Sequence, residues 1–516
     1  MKILYINPAR IEAGLDAIAK TQPLSLITIA AMVPDHEAKL IDFKVDRYND
    51  KRFRRELNRH DIVAITSLTP QINSAFEVAQ MAKEQGCITL IGGYHPSLDP
   101  EFVAKQKAID YAIRGEGENT FQELINYIDK NKKKVALKDI DGVSYKNLNG
   151  EIFHNKDRRL EYNLDNFPMP RRDLLRNKNY STDLGKIDLV ESSRGCPHSC
   201  KFCCIVKMWK DPIQKISYRT KSIKRIMQEI YAVNRRSKMI LFTDDNFTIN
   251  IKRTKKILDT IIRTGIPYKT KFWCQSRVDT LWRNQWLIKL LAKAGCYQVF
   301  LGIESVHQKS LDAMNKRNTT PDMVQKVVKM LHDEGITIMG GIIIGYPGET
   351  VEMVRQNILF AKSINLDVVQ FTPITCFPGT SFYDEMKAKS MITSNNYKNY
   401  DLFHPMMRTE QLSSKDIFQL VKEAYAAYYL DSDYAKLVLK KFINPSSEYK
   451  LNILRIFRTL VKFMWNGKKM FSSCGITTAS ISDEFKNMKL NNFVSTQIPS
   501  LTTPKLEKKV IERAEA

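Results

Sequence analysis

Short apolar runs separated by stretches of helical periodicity fill the first 130 positions. Runs at 2–7, 39–43, 62–67, 88–92 and 111–114 read as strands, while 24–32, 71–85 and 121–130 carry the spacing of amphipathic helices. Strand and helix alternating at this interval predict a parallel, doubly wound α/β sheet of Rossmann-like type. Ligands of such sheets bind at the carboxyl ends of the strands. Those ends carry Ser67-Leu-Thr-Pro, Gly92-Gly-Tyr-His-Pro-Ser and Gly115-Glu-Gly-Glu-Asn-Thr, where glycine lets backbone approach a bulky ligand. No G-x-G-x-x-G is followed by a ribose-binding acid, which argues against a nicotinamide site.

The pattern breaks over 140–175, where a small hairpin is expected around Asn147-Leu-Asn-Gly, followed by a Pro-containing strap that must run extended. From position 187 the alternation resumes. Six strands are expected at 189–192, 239–243, 271–275, 298–302, 337–344 and 368–372, each followed by a helix, which predicts a partial (β/α)6, TIM-like barrel. After position 400 the pattern is helical only. The predicted domains are 1–138 (first sheet), 139–184 (linker), 185–395 (barrel), 396–474 (helical region) and 475–516 (a Ser/Thr/Asn-rich, then charged tail expected to be disordered).

Composition adds a charge asymmetry. Residues 1–150 hold 21 Lys+Arg against 20 Asp+Glu, so nearly all of the net +24 belongs to the later domains. That charge fits an anionic partner (nucleic acid, anionic lipid or a phosphorylated substrate) or serves solubility alone. A helix over 451–465 would set Arg455, Arg458 and Lys462 opposite a broad apolar face. Such a helix suits a membrane interface, or packs on the barrel with its basic stripe in water. The chain opens on a buried strand rather than a signal peptide, and no apolar run reaches the ~18 residues of a spanning helix. Together with cysteines scattered singly at 87, 274, 296, 376 and 474, this predicts a cytoplasmic protein, with contact to the inner membrane face through the 451–465 helix as an option.

The candidate chemistry is concentrated in Ser193-Arg-Gly-Cys-Pro-His-Ser-Cys-Lys-Phe-Cys203, a C-x3-C-x2-C run with an aromatic residue before its last cysteine. Three thiolates so close can bind three irons of a [4Fe–4S] cube and leave the fourth open to a small molecule. Zinc knuckles usually show paired C-x2-C halves or histidine mates, and His198 has no partner at zinc spacing. Adjacent cysteines rarely reach one metal, so Cys204 reads as a packing residue. Polar groups close several barrel strands: Asp244-Asp-Asn, Gln275-Ser-Arg, Gly302-Ile-Glu-Ser and, further on, Met314-Asn-Lys. Buried charges need partners. Taken one at a time, each of these is as well explained by a salt bridge inside the barrel.

The cysteine run, Gly302-Ile-Glu-Ser and Gly345-Tyr-Pro-Gly-Glu-Thr together resemble the radical S-adenosylmethionine (radical SAM) enzymes. Pro23-Leu-Ser-Leu, Gly92-Gly-Tyr-His-Pro and Gly115-Glu-Gly-Glu-Asn-Thr resemble the cobalamin-binding domain that precedes many of them. The likeness covers roughly residues 1–390. It implies that Cys196, Cys200 and Cys203 hold the cluster, whose open iron chelates SAM and whose electron releases a 5′-deoxyadenosyl radical. It further implies that Asp245 faces the methionine amino group, Glu304 the ribose and Arg277 or Lys316 the carboxylate, with Phe202 and Gln275 as further SAM contacts. The glycines of Gly345-Tyr-Pro-Gly-Glu-Thr and Phe377-Pro-Gly-Thr would let adenine pass. Ser67, Gly92, Gly93, His95, Gly115 and Glu116 are the implied cobalamin contacts. The D-x-H-x-x-G motif is absent, so the lower face of cobalt is expected to be open or to hold water, with His95 either near the corrin or capping its turn.

The resemblance implies an enzyme that functionalises an unactivated carbon by methylation or C–C bond or ring formation, served by a reductant such as flavodoxin or ferredoxin. The amphipathic C-terminus points to a lipid-like substrate of hopanoid, isoprenoid or tetraether type. A Mg-porphyrin oxidative cyclase or a peptide methylase shares the architecture. Methylthiolation of tRNA needs a second cysteine trio in the first domain, where only Cys87 stands, so nucleic acid is not the expected partner. A corrinoid or Fe–S carrier would have no need for the polar strand ends.

Overall fold

Ile3, Leu4, Tyr5 and Ile6 are all buried, the mark of a parallel strand covered by helices on both faces. In the computed structural model, which describes residues 1–8, 20–129, 136–175, 179–182, 185–213 and 217–443, they belong to β1 (Lys2–Asn7) at the heart of a seven-stranded sheet. Its parallel part is β2 (Glu37–Asp42), β1, β3 (Ile62–Thr66), β4 (Ile88–Gly92) and β5 (Tyr111–Ile113). Two antiparallel strands, β6 (Val143–Lys146) and β7 (Ile152–His154), extend it beyond β5. The expected hairpin therefore forms, but it joins the first sheet instead of standing in a linker.

The second sheet has the order β16-β15-β14-β13-β12-β9-β8. Six parallel strands, β9 (Gly185–Val190), β12 (Met239–Phe242), β13 (Lys271–Ser276), β14 (Cys296–Glu304), β15 (Thr337–Ile344) and β16 (Val368–Pro373), form a curled half-barrel, with β8 (Ser181–Thr182) antiparallel at its edge. Barrel helices open on N-caps Ser222, Asn250, Thr320 and Thr350, each accepting the backbone N–H three residues on. Between β9 and the next helix lies a two-residue ribbon, β10 (Ser193–Arg194) paired with β11 (Arg219–Thr220).

The half-barrel ends where tyrosines replace the next strand. From helix Ser414–Tyr429, Tyr429 Oη accepts from Val369 N and donates to Val369 O, both at 2.8 Å. Tyr428 and Tyr434 donate to the carbonyls of Leu366 and Asp367. The free edge of β16 is thus capped rather than left as a template for pairing. The segment before this helix straps back over the first domain: Tyr397 Oη donates to Asp99 at 2.6 Å, and Tyr397, Tyr400 and Met406 join that domain's core. Among the described residues no helix is long and apolar enough to cross a membrane. The expected helix at 451–465 and the tail lie outside the described residues.

Candidate active site

Cys196, Cys200 and Cys203 lie on one loop between β10 and the helix Cys204–Met208, as free, partly exposed thiols. The loop is anchored residue by residue. Asp244 accepts from Ser192 N (2.9 Å), Ser192 Oγ (2.6 Å) and Ser193 Oγ. Asp245 accepts from Gly195 N at 2.9 Å. Ser217 Oγ donates to Cys196 O, and Asn315 Nδ2 donates to Ser199 O and Oγ. Gly195 has φ +85°, and a Cβ there would lie 1.3 Å from Ser217 O, so no other residue can start this turn. Among the described residues no three His, Cys, Asp or Glu side chains converge on one metal ion.

Around the loop stand the polar strand ends. Arg277 pairs with Asp279 (Nε–Oδ1 2.8 Å) and lies close enough to Cys196 and Cys200 to feel their charge. Glu304 sits at φ +67°, strained for a side-chain-bearing residue, beside a bulge in the β14–β15 pairing. Its Oε1 is 2.6 Å from Lys316 Nζ, which also donates to Gly302 O. Lys316 is thus paired with Glu304 as Arg277 is with Asp279, so both of these cations beside the cysteine loop already hold a carboxylate. Asp245 keeps only the Gly195 N–H against its burial, with the acids Asp244 and Glu191 nearby, and its pKa is pushed up to about 7. A cationic ligand group here would reverse that shift, which fits SAM's ammonium. Phe202 packs against the cluster of Met314, Ile343, Tyr346 and Cys376. Gln275 lies in register with Phe300, Met339 and Val368 across neighbouring strands, on the concave face. The alternate residues Cys274, Val299, Leu301 and Val369 pack against the helices. A Cβ on Gly341 would stand 3.0 Å from Phe300 Cζ, so that ring lies across β15 within the concavity.

The carboxyl ends of the first sheet face this loop across a cleft of about 300 Å³. That is at the lower end of the ~300–1,000 Å³ of ligand pockets. Gly92, Gly93, Gly115 and Glu116 line it from one side, Trp209 and Asp245 from the other. Gly93 has φ +105°, and a Cβ there would meet Ser67 O at 2.9 Å; at Gly115 a Cβ would meet nothing. The backbone at 115 thus faces open space, the cradle a planar ring requires.

Four expectations change. His95 turns away from the cleft: it is fully buried, with its ring 4.4 Å from Tyr397 and 5.8 Å from Phe102, and burial lowers its pKa to about 4. Ser67 is buried under the Gly93 turn, where its carbonyl accepts from His95 N. Glu116 lines the cleft, but both its oxygens are taken by Arg219 (2.9 Å each), and Arg194 is 2.7 Å from one of them. Two of the three late-loop glycines make room for protein rather than adenine: a Cβ on Gly345 would strike Ile417, and one on Gly379 would meet Leu98 O, whereas one on Gly348 would meet nothing. Glu349 of that loop is likewise internal, accepting from Gly345 N and Tyr346 N.

Two residues escaped the sequence reading. Tyr94 lines the cleft beside Asp245, Cys203 and Cys204, and burial together with those neighbours raises its phenol pKa. In a one-turn helix, Tyr94–Leu98, adjacent residues diverge, so an inward His95 sends Tyr94 outward. Arg194, which meets Glu116 and Glu118, carries no local signal that would have marked it.

Comparison with known proteins agrees with this geometry. The radical SAM superfamily matches residues 190–361 and the B12 binding domain matches residues 16–125. An uncharacterized methyltransferase of Pyrococcus horikoshii is 33% identical over 444 residues, covering 83% of this chain and 93% of its own. The hopanoid C-3 methylase of Methylococcus capsulatus is 27% identical over 446 residues, covering 83% and 80%. The cobalamin-dependent S-adenosylmethionine radical enzyme OxsB, solved with aqua-cobalamin and S-adenosylmethionine bound, superposes with a TM-score of 0.66 at 17% identity, covering 94% of this chain and 74% of that one.

Proposed function

Because the chain belongs to the radical SAM superfamily and carries a B12-binding domain, with a [4Fe–4S] cluster, SAM and cobalamin as its cofactors, we propose that it is a C-methyltransferase acting on an apolar, lipid-like substrate of hopanoid or isoprenoid type. Its kind, the radical SAM methyltransferases and cyclases, acts on small molecules and needs a reductant. When bound, the cluster supplies the electron that cleaves SAM, and the corrinoid supplies a methyl-transfer centre. The remaining work falls to the chain's own residues.

In this reading Cys196, Cys200 and Cys203 hold the cluster and Arg277 orients SAM's carboxylate. Asp245 takes its ammonium, and Glu304, aimed by its ion pair with Lys316, takes the ribose. Gly92, Gly93 and Gly115 admit the corrin. The observation that carries the proposal is Asp245: it fixes Gly195 at the entrance to the cysteine loop and also lines the cleft, so the two cofactor sites share one wall. The apolar preference rests on the hopanoid C-3 methylase among the relatives and on Trp273, Phe300, Met339 and Val368, which stand on the concave face among polar residues such as Gln275, Gln298 and Gln370.

The test is anaerobic turnover of the reconstituted protein with methyl-labelled SAM on an extract of host lipids. A lipid gaining a labelled methyl group supports the reading. A product whose mass shows ring closure or a new C–C bond without label would replace methylation by cyclisation.

A further inference from the structure

The acids of the first domain's Glu116-Gly-Glu118 turn meet bases from the second domain at the point where the cysteine loop begins. Arg194, two residues before Cys196, sends Nη1 to Glu116 (2.7 Å), Nη2 to Glu118 (2.7 Å) and Nε to Glu191 (2.9 Å). Its ribbon partner Arg219 also holds Glu116, so two guanidiniums set side by side by β10 and β11 share one carboxylate. The group is buried: Glu116, Glu118, Arg194 and Arg219 are exposed by only 5%, 6%, 7% and 4%. The Arg194 guanidinium also lies over Phe167 (5.2 Å) and Trp209 (5.6 Å), which fix its plane.

Buried ion pairs of this kind contribute little net stability against an apolar alternative, but breaking one leaves an uncompensated charge. Their strength is geometric: a forked guanidinium held on three edges has one position. That position sets the backbone at residue 194, and Gly195, fixed by Asp245 on its other side, passes it to Cys196. Three of these residues, Glu116, Glu118 and Arg194, also line the cleft.

We propose that Glu116 and Glu118 are positioning residues whose grip on Arg194 ties the first domain to the cysteine loop, so that filling the cleft and ordering the loop are one coupled event. Coupling through shared residues is reciprocal: whatever orders the loop tightens the cleft by the same factor. The clamp stands on the protein's own contacts; only the coupling to the cleft rests on the corrinoid reading above.

The test is amide hydrogen exchange of the full chain, first without cofactors. Glu118→Gln, which keeps shape and removes charge, is expected to speed exchange over 193–204 by about tenfold while leaving 2–7 and 62–66 unchanged. Arg194→Lys keeps charge but loses the fork, and should show the same local pattern, which carries the test if Glu118→Gln does not fold. Unchanged exchange over 193–204, or an equal rise in every peptide, would overturn the clamp. Hydroxocobalamin added to wild type should protect both 92–95 and 193–204; in Glu118→Gln it should protect only 92–95. Equal protection of 193–204 in both proteins would overturn the coupling. Protection of neither region in wild type would overturn the coupling and the corrinoid reading together, while the cofactor-free comparison still decides the clamp.

Discussion

Two pairs of acids close strands at the same cleft, one in each domain, and they behave differently. Glu116 and Glu118 of the first domain are answered by Arg194 and Arg219. After β12, Asp244 is satisfied by three donors from Ser192 and Ser193, whereas Asp245 is left with the Gly195 N–H and a pKa near 7. Residue type and strand-end position are shared, so neither separates structure from function. What separates them is the kind of partner: Glu116 and Glu118 each meet a guanidinium and Asp244 a full set of neutral donors, while Asp245 is buried with one backbone N–H and no base, where a ligand's cation would fit.

The largest effect expected is at the cysteine loop itself. Cys200→Ser removes one of three iron ligands and should abolish bound iron and sulfide after anaerobic reconstitution, along with 5′-deoxyadenosine formation. Next, Arg194→Met would leave Glu116, Glu118 and Glu191 buried without their shared base, at a cost of about 3–5 kcal/mol in urea unfolding. A cost below about 1 kcal/mol would erase the distinction between the two acid pairs.

His95, in the short helix Tyr94–Leu98, gives a pH test. Its folded pKa of about 4 lies below the ordinary value of 6.5. Between these values the unfolded chain binds the proton and the folded one does not, so stability falls as pH drops from 6.5 to 4, by about 3 kcal/mol in all. His95→Gln should flatten that part of the urea-stability profile; an unchanged slope would place the titrating group elsewhere. Asp245→Asn is the counterpart to Arg194→Met. Stability should hold or rise, because a buried unpaired charge is removed, while SAM affinity measured by equilibrium dialysis falls by about 1.5–3 kcal/mol, or roughly ten- to a hundredfold.

The fold was legible because its signals are local. Apolar runs such as 2–7 and 337–344 have no reading other than buried strands, and the cysteine spacing is self-contained. What escaped was relational. Nothing at Glu116 says that Arg194, 78 positions away, will take it. Nothing in Gly345-Tyr-Pro-Gly says that its first glycine makes way for Ile417 instead of a ligand. His95 and Tyr94 were separable only once a one-turn helix had assigned one to the core and the other to the cleft. The hairpin at 143–154 was seen but not its docking partner, because an edge-strand pairing leaves no mark on the strand it joins.

In the proposed reading, the cysteine loop carries a cluster that cleaves SAM bound at the barrel's polar strand ends. The most direct test is the yield of 5′-deoxyadenosine from reduced, fully reconstituted wild-type protein incubated anaerobically with SAM. It should form in wild type, fall markedly in Asp245→Asn and be absent in Cys200→Ser. A wild-type protein that holds its full complement of iron and sulfide yet makes no 5′-deoxyadenosine would contradict it.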